Sequence, residues 1–235
     1  MKTYSITQQG RARDNNQDQF FVKEFANGSV LIAVFDGVGG QTAGEQAAHL
    51  AKESLDDFNP NAQGLERHLV KLMQVANQKI LDKVEKDPDL WGMGTTMTVA
   101  FVNNGVAHWA HVGDSRLYHF SGDHIDQITE DDTIPGLLLS DGEITKEEAR
   151  VHPNRNFLFE FIGCGAFELH AGTFGIGEGD FLLLSTDGFH DQVPEEVIVS
   201  ILQSDDDLEE KLQMLVSTAL NAGGKDDITV VGAEL

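Results

Sequence analysis

The chain has 235 residues, 40% of them hydrophobic, enough to enclose a core without covalent staples; its one cysteine, Cys164, excludes an intrachain disulfide and a thiolate metal cage. A formal net charge of -23, from 39 acidic against 16 basic residues, excludes nucleic acid and anionic membrane as partners, because both would be repelled. What remains is a protein that binds cations or something basic, or that is simply kept soluble by its charge.

The first segment, "MKTYSITQQGRARDNNQDQF", lacks an apolar core of signal-peptide length, and no later stretch approaches about 18 uninterrupted apolar residues, so a soluble, cytoplasmic protein is expected. Strands are predicted at "TYSIT", "QFFVKEF" and "SVLIAVF", with a turn at "ANGS" between the last two. A helix from Thr42 follows, with Ala43, Ala47, Leu50, Ala51, Leu55 and Phe58 near one face. Leu65, Leu69, Leu72, Met73, Ala76, Ile80 and Val84 mark a longer helix that Pro88 closes.

Strand-like runs then come as "MTVAFV", "GVAHWAHV", "SRLYHF" and "HIDQIT", which read as one antiparallel meander. His108 and His111 should point to opposite faces of their strand, which argues against a shared metal. Residues 132–165 hold a short helix and an irregular stretch, an excursion from the core with the character of a flap. Within it Cys164, in "FIGCGAF", reads as a buried structural thiol, since it has apolar neighbours and no local cation. Strands return at "LHAGTFG" and "DFLLLST", followed by a helix near "PEEVIVSILQ" and another carrying Leu208, Leu212, Leu215 and Ala219. The last strand is "DITVVGAEL". With no repeat, low-complexity tract or linker, residues 1–235 are expected to form one domain of α+β class with antiparallel sheets.

Five acids recur in one setting. Asp36 follows "VLIAVF", Asp114 follows "AHWAHVG", Asp187 follows "FLLLST", Asp226 precedes "ITVV", and Asp18 stands just ahead of "QFF". Aspartate favours turns, and that explains each position separately. Sheets that bring those strand ends together would converge negative charges, and divalent cations are the natural compensation. Oxygen ligands without Cys or His point to Mg2+ or Mn2+, and Gly37 beside Asp36 leaves its carbonyl free to approach an ion.

Read in order, "GRARDNNQD", "FDGVGG", "MGTTMTVAFV", "HVGDSRLY", "TEDDT", "HPNRNFLFEFIG", "STDGFHD" and "GGKDDITVV" resemble the metal-dependent serine/threonine protein phosphatases of type 2C, in their compact bacterial branch. The resemblance implies a β-sandwich of two antiparallel sheets flanked by helix pairs, with a two-metal site at one end. It assigns Asp36 to the bridge between two Mg2+ or Mn2+ ions, the Gly37 carbonyl to a ligand, Asp18 to contact through water, and Asp187 and Asp226 to the second metal. Asp114 and Asp187 match the holders of a third, weaker ion, and Arg13 matches the arginine that grips two phosphate oxygens.

Two cations sharing Asp36 imply direct attack of an activated water on a phosphoserine or phosphothreonine, with no phosphoenzyme. Phosphorylated proteins, substrates of a serine/threonine kinase, are the implied partners, and a monomer is expected. Departures from the pattern are Gln17 for a usual Glu, Val38 for the histidine of eukaryotic relatives, Asp227 for an Asn, and Asp132-Thr133 for a His-Ser pair. Gln17 and Asp227 leave open a catalytically weak or silent metal-binding module of the same fold, and the motifs do not choose between phosphomonoester and phosphodiester targets. The acidic surface favours substrates with basic residues beside the phosphate.

Overall fold

The computed structural model describes residues 1–40 and 43–235. The chain opens with β1 (Lys2–Gln8), β2 (Gln19–Glu24), β3 (Val30–Phe35) and the two-residue β4 (Gly37–Val38), then α1 (Ala43–Ser54) and α2 (Leu65–Lys86). Next come β5 (Gly94–Thr95), β6 (Met97–Asn103), β7 (Val106–Val112), β8 (Arg116–Ser121) and β9 (His124–Gln127), then α3 (Ile134–Ser140) and α4 (Lys146–Arg150). The chain finishes with β10 (His170–Gly175), β11 (Phe181–Ser185), α5 (Asp187–His190), α6 (Glu195–Leu202), α7 (Leu208–Asn221) and β12 (Ile228–Glu234). The helix predicted from Thr42 is seen from Ala43 onward; Thr42 itself lies outside the described residues.

Two antiparallel sheets dominate, one ordered β1-β12-β11-β8-β9 and the other β10-β7-β6-β3-β2; β4 and β5 make a small third pair. The unbroken apolar run of β3 explains the layering, for all six residues are buried. Val30, Ile32 and Val34 face Leu117, Leu182, Leu184 and Val231 across the space between the sheets. Leu31, Ala33 and Phe35 pack instead with Ala47 and Ala51 of α1 and Leu69, Met73 and Ile80 of α2. A strand covered on both faces has no solvent side on which to place polar residues. On the far side Leu183 and Val230 pack with Ile198, Leu212 and Leu215 of α6 and α7. Helices, sheet, sheet and helices therefore stack in four layers, the expected α+β sandwich.

The expected meander over Met97 to Gln127 is instead two hairpins in different sheets, β6–β7 in one and β8–β9 in the other. Period-two patterning identifies a strand but carries no information about which sheet it joins. The chain changes sheet at Gly113, whose φ of +104° is left-handed and whose Cβ, if present, would lie 2.6 Å from Thr96 Cγ2. Only glycine makes this crossing, and the crossing delivers Asp114 to the end of the sandwich.

In the segment from 132 to 165, the short helix expected within "DGEITKEEARVHPNRNFLFEFIG" is α4, and α3 precedes it. Thr133 caps α3 by accepting from the Gly136 N–H, and Thr145 with Glu148 forms a capping box on α4. Isolated bridges Thr133↔Leu158 and Thr95↔Ile162 fasten its return leg. Cys164 is exposed, contrary to the expected burial. Its apolar neighbour Ile162 does go inward, but Gly163 and Gly165 both take positive φ and turn the chain outward between them.

Candidate functional site

Strand pairing brings the recurrent acids to one end of the sandwich. Gln19 pairs with Phe35, so Asp18 and Asp36, one residue beyond on each strand, arrive together. Ser185 pairs with Val230, which draws Asp187, the first residue of α5, toward Asp226 just ahead of β12. Asp114 joins them from the sheet crossing, and Asp36 feels the charges of Asp18, Asp187, Asp114 and Asp226 together. Asp18 and Asp114 are buried, while Asp36 and Asp187 are half-buried at the mouth.

Burial first, and then mutual repulsion, holds the carboxyls of Asp18, Asp36 and Asp114 well above the ordinary carboxylate range. The same causes push Asp187 up to about 7, and its buried Oδ1 has no hydrogen-bond partner among the described residues. Such a group is costly unless something positive meets it.

Neutral groups hold the acids in place. The Asp36 N–H donates to Thr96 Oγ1 at 2.9 Å, while its carbonyl accepts from the Thr95 hydroxyl at 2.8 Å and the Thr96 N–H at 2.9 Å. Thr96 Oγ1 lies 2.7 Å from Ser115 Oγ, and Thr98 donates to the Ser115 carbonyl while lying 2.7 Å from His111 Nδ1. One buried network thus joins Asp36 to the loop that carries Asp114. The Thr186 hydroxyl donates to Asp18 at 2.8 Å. Gly37 packs so closely on the start of α1 that a Cβ would sit 2.4 Å from Gly44 backbone atoms.

Asp227 serves the backbone, for its two oxygens accept the Gly10 and Gln17 N–H groups, both at 2.9 Å, and tie the Arg13 loop to the base of β12. Buried Asp132 likewise accepts the Gly113 N–H at 2.7 Å and fixes the sheet crossing. Arg13 Nη2 donates to Asp226, so the predicted phosphate-binding side chain, 43% exposed, stands beside the acids. His111 is buried in the network whereas His108 pairs with Glu66 of α2, on the opposite face as expected.

A cleft of about 630 Å³ opens from Asp114 and Asp187 toward α3 and α4, which form its far wall.

Residues 7–226 match the family described as Protein phosphatase 2C. The chain belongs to this family. Serine/threonine phosphatase stp of Listeria innocua is 36% identical over 235 residues, covering 97% of this chain and 93% of the relative. Protein phosphatase PhpP of Streptococcus pneumoniae is 34% identical over 238 residues, covering 98% and 96%. Among solved structures, the Mycobacterium tuberculosis serine/threonine phosphatase PstP/Ppp superposes with a TM-score of 0.90 at 35% identity, covering 100% of this chain and 98% of that one. The PstP catalytic domain in complex with 2 manganese ions gives 0.87 at 33% identity, covering 99% and 97%.

The donor set of this protein phosphatase 2C member fits hard divalent cations: oxygen only, strongly negative, and with an unpartnered carboxylate oxygen on Asp187. Among the described residues no three His, Cys, Asp or Glu side chains are arranged to hold a metal ion together. The supporting residues Thr96, Thr186 and Ser115 lie within the quoted motifs, but the sequence reading assigns their hydroxyls no role. Their signal is positional, a hydroxyl at the end of an apolar strand.

Proposed function

We propose that this chain is a serine/threonine protein phosphatase whose two Mg2+ or Mn2+ ions share Asp36, with the Gly37 carbonyl, Asp18, Asp187 and Asp226 completing the set. Asp114 and Asp187 hold a third, weaker ion. The observation that carries this reading is the convergence of Asp18, Asp36, Asp114 and Asp187 with an unpartnered buried oxygen on Asp187. The silent-module alternative rested on Gln17 and Asp227; Asp227 serves as a backbone tie, and the relatives named as serine/threonine phosphatases support the enzyme rather than the silent module.

When bound, the ions supply an acidified water near neutral pH and positive charge toward the phosphoryl oxygens. The chain's own residues do the rest. The hydrogen bonds from Thr95 and Thr96 fix the Asp36 backbone on both sides, so its carboxylate is presented in one position. The Thr186 hydroxyl, donating to one carboxylate oxygen, orients Asp18. Arg13 turns its planar fork from Asp226 to two phosphate oxygens and aligns phosphorus for in-line attack. Water oxygen bonds to phosphorus, the bond to the serine or threonine oxygen breaks, and that oxygen takes up a proton.

Among the described residues no helix is long and apolar enough to cross a membrane. We place the enzyme in the cytoplasm as a monomer that reverses a serine/threonine kinase, with residues 1–235 as one catalytic domain and 132–165 as its flap. The test is a titration of Mn2+ and Mg2+ against hydrolysis of a phosphothreonine peptide, run on the wild type and on Asp36→Asn. Activity should require metal and fall by about 10²-fold or more in the variant, the scale of losing a main charge-positioning group. Full activity in excess chelator, or in the variant, sinks the reading.

A further inference from the structure

Resting on the phosphatase reading, we infer that the cleft between the acids and α3–α4 selects phosphosites flanked by lysine or arginine. Asp114 and Asp187 line this cleft, which makes it the path for the chain on one side of a bound phosphoserine or phosphothreonine in this inference. Its floor is apolar, with Ile125, Pro135, Leu139, Ala149 and Val193. Its rim carries the exposed acids Asp126, Glu130, Glu147 and Glu196.

Three of the cleft's four arginines and lysines are paired with carboxylates, and the fourth, Arg150, is held on a backbone carbonyl. Arg116 holds Asp131 through two bonds of 2.8 and 2.6 Å, and Lys146 reaches Glu195 at 2.9 Å. Arg155 donates to Asp191 Oδ2 at 3.2 Å and Arg150 to the Asp191 carbonyl at 3.1 Å. An acidic side chain entering here finds Arg150 as the one guanidinium without a carboxylate partner among the described residues, whereas a basic one finds both Glu147 and Glu196 without an ion pair. Lysine and arginine suit both features, since their methylene stems lie on apolar surface while the charged head stays at a wet rim. The total charge of -23 sets the sign of the field, but the placement of engaged cations and free acids beside the reacting centre gives it a location.

The experiment compares kcat/KM for three phosphothreonine peptides, differing only in Lys, Ala or Glu on both flanks, at fixed Mn2+ and low salt. Wild type and Glu147→Gln/Glu196→Gln are measured side by side, with p-nitrophenyl phosphate as a substrate that has no flanks. Two rim pairs are worth roughly a five- to tenfold preference for the Lys over the Glu peptide in the wild type. That ratio should shrink at least threefold in the double variant and also in high salt. Because it is a ratio within one protein, any general change in catalysis cancels. Equal rates on the Lys and Glu peptides overturn the inference, as does a preference that the double variant keeps in full. Failure of the wild type to hydrolyse p-nitrophenyl phosphate with Mn2+ overturns the phosphatase reading itself, and this inference with it.

Discussion

Thr96 decides how firmly Asp36 is held. Its hydroxyl oxygen accepts the Asp36 N–H and lies against Ser115, so Thr96→Val leaves a donor and a hydroxyl without a partner inside the protein. The expected cost is about 1–3 kcal/mol of stability. A fall in kcat should accompany it, with Thr96→Ser restoring most of both; thermal unfolding and metal-dependent turnover measured together check this. A valine variant with normal stability and turnover would mean that the network is idle. The five acids are legible in the sequence because each ends or precedes an apolar run, where a charged side chain has to be explained. The supports are not: Thr186 reads as the end of its strand, Thr96 as part of the loop ahead of the next, and Asp227 stands out only as a replacement for a usual Asn, with no role attached. Arg13 is identified from its motif, while its contact with Asp226 depends on a loop that only folding closes.

Between α4 and the start of α6, the 132–165 segment is fastened chiefly by polar contacts. Arg155 and Arg150 both reach Asp191, and Lys146 reaches Glu195, with the lysine and arginine side chains largely exposed. Exposed pairs contribute about 0–1 kcal/mol each, so Arg150→Ala/Arg155→Ala should lower the melting temperature by no more than about 4 °C in a chain of this size. Hydrogen exchange should nevertheless accelerate across α3 and α4, because local opening needs only these ties to break. Unchanged exchange there would show that the bridges at Thr133 and Thr95 hold the segment unaided. Helix and strand identity at this scale is legible from periodicity: α2 appears where its apolar residues recur, and β3 where none alternate. The assignment of β6–β7 and β8–β9 to different sheets is not, because it turns on one glycine conformation at residue 113 and on contacts far apart in the chain.

For the whole molecule, the cluster makes stability depend on metal and pH together. Burial raises the carboxyl of Asp187 to about 7 and shifts Asp18, Asp36 and Asp114 the same way, so in excess chelator the folded protein keeps protons that the unfolded chain has released. Stability from these groups is therefore fully present below the unfolded carboxylate range, near pH ~4, and is lost as pH rises through the folded values. Buried His111, lowered to about 4, acts in the opposite sense: its contribution is complete above the ordinary histidine value of about 6.5 and is lost as pH falls. From pH ~6.5 upward the histidine contributions to the slope, His111's and that of buried His190, fade as the unfolded imidazoles lose their protons, and the four carboxylates dominate it. The metal-free melting temperature should thus decline steadily from about pH 6.5 to 8. Excess Mn2+ or Mg2+ takes the place of the protons, which should flatten that decline and raise stability by about 2.7 kcal/mol at a hundredfold excess over Kd. Calorimetric scans across this range, with chelator and with each ion, check both halves. Identical slopes with and without metal would mean that the gathered acids are not where the cations bind.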